Sequence, residues 1–83
     1  MTNYEKGRKK EYQIIHDERA CGRIAFRSAG SHSPIDVVSI DVNSREIRFI
    51  QSKAGAFSNK ARQRLLDENN LLNGSFFCKF EVR

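Results

Sequence analysis

The chain has no tryptophan, a single proline and a single methionine in 83 residues. Nowhere does an apolar run approach the roughly 20 residues that a membrane span requires, so no membrane partner is expected. The polar, basic residues at the start are not followed by the apolar core of a secretory signal. An intracellular, cytoplasmic protein is therefore expected. Cysteine is scarce: Cys21 and Cys78 lie far apart without metal-ligand spacing. They read as buried free thiols, not as a disulfide or a zinc site. His16 and His32 also lack a spaced set of partners, and neither reads as a zinc ligand.

Basic residues are abundant. Fifteen Lys and Arg stand against ten Asp and Glu, a net charge of +5, which points to a polyanionic partner, nucleic acid being the commonest. Residues 1–83 are enough for one domain with one modest core, and dimerisation would relieve the thinness of that core.

Periodicity predicts a helix from Tyr4 to Ala20, anchored by Tyr12, Ile14 and Ile15 and ended by Gly22. Glu11 stands three residues before Ile14 and four before Ile15, so it leans toward the buried face; an ion pair with Lys10 or Arg8 is its ordinary explanation. Lys6, Arg8, Lys9 and Lys10 crowd the first turns, where the helix dipole gives cations no help. Such a cluster suits an external anion, a solvated basic face being the commoner reason for it. A short strand is expected over Arg23 to Arg27, then a loop of small polar residues from Ser28 to Pro34 that permits close backbone approach by a ligand. After Ala54 to Phe57 turns the chain, Ser58 should cap a second helix reaching about Asn69, with Ala61, Leu65 and Leu72 inward and Lys60, Arg62 and Arg64 outward. Ser75 to Val82 alternates as a final strand. The element order is αβββαβ.

The hairpin in the middle organises the rest. With Asn43-Ser44 as a two-residue loop, Val42 faces Arg45, and counting outward places Asp36 opposite Gln51. Cross-strand partners lie about 4.5–5.5 Å apart at Cβ, close enough for a carboxylate and an amide oxygen to share a cation. Lys53 falls on the same face as Gln51, so an acid, an oxygen ligand and an ammonium converge where the strands meet loops. Strand-end polar residues making surface contacts are the plain alternative.

Taken in order, Lys6-Gly7-Arg8-Lys9-Lys10-Glu11, then Arg27-Ser28-Ala29-Gly30-Ser31-His32-Ser33-Pro34-Ile35-Asp36-Val37-Val38, then Gln51-Ser52-Lys53 resemble the PD-(D/E)XK nuclease superfamily. Within it the likeness is to archaeal Holliday-junction resolvases and their phage and viral relatives. The resemblance implies a single small α/β domain with an αβββαβ restriction-endonuclease-like core, a central mixed sheet flanked by two helices. It further implies a Mg²⁺-dependent endodeoxyribonuclease, with Mn²⁺ as a substitute ion, that cuts branched or four-way junction DNA as a homodimer.

The catalytic set implied is Glu11, Asp36, Gln51 and Lys53, with the metal held by Glu11, Asp36, Gln51 and the main-chain carbonyl of Ser52. Hard oxygen ligands suit Mg²⁺, which activates a water beside the scissile phosphate, while Lys53 orients it or stabilises the growing charge. Arg27, Ser31 and Ser33 would grip the phosphate backbone, and the basic helix residues Lys6, Arg8, Lys9 and Lys10 are the remaining DNA-binding candidates. Gln51 is the departure, since most of the family carries Glu there, and an amide supplies no charge to a cation. A catalytically inactive nucleic-acid-binding protein that retains the nuclease fold is the competing expectation.

Overall fold

The computed structural model describes residues 2–28, 33–53, 58–74, 79 and 81–83. Helix α1 spans Asn3–Ala20 and starts on Thr2, whose hydroxyl accepts from the Glu5 amide at 3.1 Å, satisfying one of the donors a helix leaves open at its start. It ends where Gly22 takes φ +84°, a left-handed conformation that glycine adopts without steric cost. Cys21, expected to be buried, is an exposed free thiol: it is the C-cap residue, beyond the stripe of α1 that packs on the sheet. Cys78 lies outside the described residues.

Three strands follow, β1 (Ile24–Arg27), β2 (Val37–Asp41) and β3 (Glu46–Ile50), in one sheet of order β1-β2-β3 with both pairs antiparallel. The described chain is thus a small α/β structure. Of the expected last strand, Lys79, Glu81 and Val82 lie in no regular element, and the other residues fall outside the described ones.

The β2–β3 register, Val37 with Ile50 through Asp41 with Glu46, is the one that the Asn43-Ser44 turn predicts. The turn itself is wider, residues 42 to 45, with the Asp41 carboxylate accepting from the Asn43 amide at 3.0 Å and Arg45 at φ +59°.

Alternation divides the sheet. Arg23, Ala25 and Arg27, then Val37 and Ser39, then Arg48 and Ile50 share the face that α1 covers. Ile15 packs there with Ala25 and Val37 as the buried apolar core, backed by Ile14 and Ile50. Tyr12, expected as a third anchor, is instead 50% exposed: among the described residues of α1 the apolar core takes Ile14 and Ile15, and the Tyr12 ring lies with Arg27 at the end of β1. The opposite face carries Ile24 and Phe26, 56% and 46% exposed.

At the turn end of the sheet Arg23, only 8% exposed, ties the layers together. Its guanidinium donates to the Ser39 hydroxyl at 2.7 Å and the Ser39 carbonyl at 3.2 Å, and pairs with Glu46 at 3.0 Å and Asp41 at 3.7 Å. Glu18 of α1 joins from 3.9 Å and is bound in turn by Arg48 at 3.1 Å.

Helix α2 (Asn59–Glu68) starts on Ser58, whose hydroxyl accepts from the Ala61 amide at 3.1 Å, the cap expected from the sequence. Ala61 and Leu65, with Leu72 in the 3-10 turn Asn70–Leu72, form its half-buried stripe, and Lys60, Arg62 and Arg64 are exposed.

Candidate active site

The end of the sheet away from Arg23 gathers most of the polar residues that the sequence singles out. Two antiparallel pairings bring together the end of β1, the start of β2 and the end of β3, and α1 crosses above them. Ser28, just past β1, donates its amide to the Asp36 carbonyl at 2.9 Å. The Asp36 amide donates to the Ile50 carbonyl at 2.8 Å, one residue out of step with the β2–β3 ladder. That slip leaves the Asp36 carboxylate beside the strand-end backbone of β3, where Oδ2 accepts from the Ser52 amide at 2.8 Å. Asp36 is therefore held at backbone and side chain alike, next to Gln51, Ser52 and Lys53.

Two consecutive residues of α1 grip this rim at its two sides. Lys10 donates from Nζ to the Lys53 carbonyl beyond β3. Glu11 accepts from Arg27 Nε at 3.1 Å at the end of β1. The partner of Glu11 is thus Arg27, not Lys10 or Arg8. Side chains of adjacent residues on a helix point apart, and Arg8 is drawn over the Tyr12 ring, its guanidinium 5.8 Å from the centroid. Glu11 is half-buried, as its place beside Ile14 and Ile15 requires.

Arg27 also lies over Tyr12, at 5.3 Å. Hydrogen bonds from Arg8 and then Arg27 hold the Tyr12 phenol below its ordinary pKa, and the same contact with Tyr12, joined by the charge of Glu11, pushes Arg27 up.

A cleft of about 580 Å³ opens beside this rim, between the length of β3 and α2. Gln51, Ser52 and Lys53 line it together with Lys10 from α1 and Arg62 from α2. In the sequence Arg62 reads simply as an outward-facing helix cation; nothing in its helical spacing tells that α2 turns this side toward Lys53. Lys6 and Lys9 are exposed on α1. The Ser33 hydroxyl accepts from the Ile35 amide at 3.0 Å and so shapes the loop before Asp36. Ser31 lies outside the described residues.

Whether these groups suit a metal can be judged from the donors themselves. Among the described residues no three His, Cys, Asp or Glu side chains cluster closely enough to hold an ion. Mg²⁺, however, binds proteins through one or two carboxylates and keeps several waters. Asp36, the Gln51 amide oxygen and the Ser52 carbonyl supply hard oxygens within two residues of one backbone contact. Ser52 adds an unusual feature: its hydroxyl is buried without a hydrogen-bond partner among the described residues, a costly state for a polar atom. The donor set fits a hard divalent cation at Asp36, with the Glu11 carboxylate turned to Arg27.

Neither the protein-family models, nor the curated proteins, nor the solved structures include one that this chain matches.

Proposed function

We propose that this chain is a metal-dependent DNA endonuclease acting on branched or four-way junction DNA, built on a restriction-endonuclease-like αβββαβ core with a mixed sheet. One observation carries the reading: Lys10 and Glu11 of α1, Arg27 of β1, Asp36 before β2 and Gln51 to Lys53 after β3, distant in the chain, meet at one rim of the sheet. The strand alternation that builds the core does not require this gathering of charge.

In this reading Asp36, Gln51 and the Ser52 carbonyl would hold Mg²⁺ or Mn²⁺, while Glu11, paired with Arg27, stands outside the donor set and holds that arginine at the rim. The ion would supply a polarised phosphate and an activated water. The Ser52 amide fixes the Asp36 carboxylate so that one oxygen remains to face a ligand. Lys53 stabilises negative charge building on the phosphate, and Lys10, bound to the Lys53 carbonyl, steadies the segment that carries it. Lys6, Arg8 and Lys9 neutralise DNA phosphates along α1, and Arg27 and Ser33 hold the backbone near the cut. A two-fold homodimer would give a symmetric junction one site per strand to be cut.

Gln51 favours a second reading, a DNA-binding protein that has kept the fold without the chemistry, because a neutral ligand beside Asp36 weakens the hold on a cation. Incubating the protein with an end-labelled four-way junction in Mg²⁺ or Mn²⁺ separates the two. Paired cuts near the branch point are expected. Binding without cuts at any metal concentration would leave the second reading.

A further inference from the structure

Helix α2 carries three exposed cations, Lys60, Arg62 and Arg64, in three different settings. Arg64 is paired with Glu68 one turn on, at 3.5 Å. Lys60 lies off the cleft between α2 and β3. Arg62 lines that cleft, and among the described residues no carboxylate pairs with it. Its placement follows from helical spacing: Arg62, Leu65, Leu66 and Asn69 succeed one another at steps of three and four residues on the side of α2 that looks across to β3. Arg62 comes first of these, and only residues 54–57 lie between Lys53 and the Ser58 cap, so it belongs to the end of the cleft where Lys53 stands.

Two further cations, Lys10 and Lys53, line the cleft at that end, and Lys10 gives its Nζ to a main-chain carbonyl instead of an acid. The one acid among the described lining residues is Glu46, at the far end of β3, where Arg23 and Arg48 hold it at 3.0 Å. A recess with cations at one end and apolar walls, here Ile47, Phe49 and Leu65, concentrates anions.

We propose that Arg62 holds a phosphate of the DNA strand being cut, one or two positions from the scissile phosphate at Asp36, and so makes α2 the second wall of the DNA site. The inference rests on the nuclease reading above and adds to it a substrate-positioning residue on an element which that reading does not use. The guanidinium suits the task, since its planar fork donates to two phosphate oxygens at once. A strand with a charge at every nucleotide meets Asp36 and Arg62 together, whereas a single small anion fills only one of the two places.

The test is equilibrium binding in EDTA to a four-way junction whose cut positions have been mapped with wild-type protein in Mg²⁺. Arg62→Ala should weaken binding about 5-fold or more, the loss of one charge-assisted contact, and reduce the slope of log K against log salt by about 1. Lys60→Ala should do neither. Neutral methylphosphonates are then placed singly at the two phosphates on each side of the cut. At one of these positions Arg62→Ala should cost less than about 2-fold, because its partner charge is already gone. Arg62→Gln, which keeps most of the stem, replaces Arg62→Ala if that protein fails to fold by circular dichroism. A folded variant that binds like wild type, a Lys60→Ala loss equal to that of Arg62→Ala, or an Arg62→Ala cost that no methylphosphonate removes overturns the inference and leaves the nuclease reading standing. A wild-type protein that makes no cuts removes both.

Discussion

Arg23 is the residue on which the layers depend most. It is buried with three acids and two backbone carbonyls around it, and its loss would leave Glu18 and the Ser39 hydroxyl without their shared partner inside the structure. Arg23→Met should lower stability by about 2–4 kcal/mol, read as a shift in the urea midpoint, the lower end reflecting the solvent access of Glu46. Arg23→Lys should recover little of it, since an ammonium cannot reproduce the guanidinium fork.

Asp41, in the same cluster, titrates below the ordinary aspartate range because the Ser44 side chain, then the Asn43 and Ser44 amides and the charge of Arg23, favour its ionised form. A depressed folded-state value means stability that is present above the ordinary aspartate pKa, near about 4, and lost as pH falls through the lower folded value. In urea titrations from pH 6 to pH 2, Asp41→Asn should flatten this acid limb and leave a stability curve that changes less with pH. An unaltered acid limb would mean that Asp41 does not set it.

Among elements, the hairpin was the most legible. The turn pair Asn43-Ser44 and the alternation of Ile40, Ile47 and Phe49 set the register that places Asp36 beside the residues after β3, before any packing is considered. The turn's true width was not legible, because nothing in the residue type of Arg45 announces φ +59°. That conformation suits glycine, so Arg45→Gly should raise stability by up to about 1 kcal/mol in the same urea assay, the relief of strain outweighing the greater freedom of the unfolded chain.

Helix α1 was legible in extent and less so in orientation. Periodicity put Tyr12 inward with Ile14 and Ile15, yet the ring lies at the end of β1 under two guanidiniums, a tertiary contact that helical spacing does not encode. Likewise Glu11 could be placed near the buried face from its neighbours, whereas its partner Arg27 is sixteen residues away and becomes visible only once β1 lies beneath the helix. Arg23 gave no signal at all: a cation at the start of a strand reads as exposed until Ser39, Asp41 and Glu46 are seen around it.

For the molecule as a whole, charge and geometry make separate predictions. Lys6 and Lys9 stand exposed on α1, near the rim where Lys10 and Glu11 attach. Replacing both by Ala should reduce the slope of log K against log salt for junction DNA by about 2, one unit for each phosphate that is no longer neutralised. An unchanged slope would place the DNA on another surface.

Gln51 bears on the proposed metal. If the neutral amide weakens the site, Gln51→Glu should lower the Mg²⁺ concentration for half-maximal cleavage several-fold. If Gln51 serves to orient Asp36 or Lys53, a second carboxylate beside Asp36 would slow the reaction instead.

Everything proposed for this molecule turns on Asp36, fixed by the Ser52 amide at the meeting point of α1 and three strands, as the charged centre of a nuclease site. Asp36→Asn keeps the size of the side chain and an oxygen for the Ser52 amide while removing the charge. Its cleavage of a labelled four-way junction in Mg²⁺ should be measured beside its affinity for the same junction in EDTA. Cleavage should fall by about 100-fold or more while affinity changes by less than about 3-fold, the rate loss being that of a missing electrostatic group in an active site. Cleavage at the wild-type rate by a folded Asp36→Asn protein would contradict that assignment.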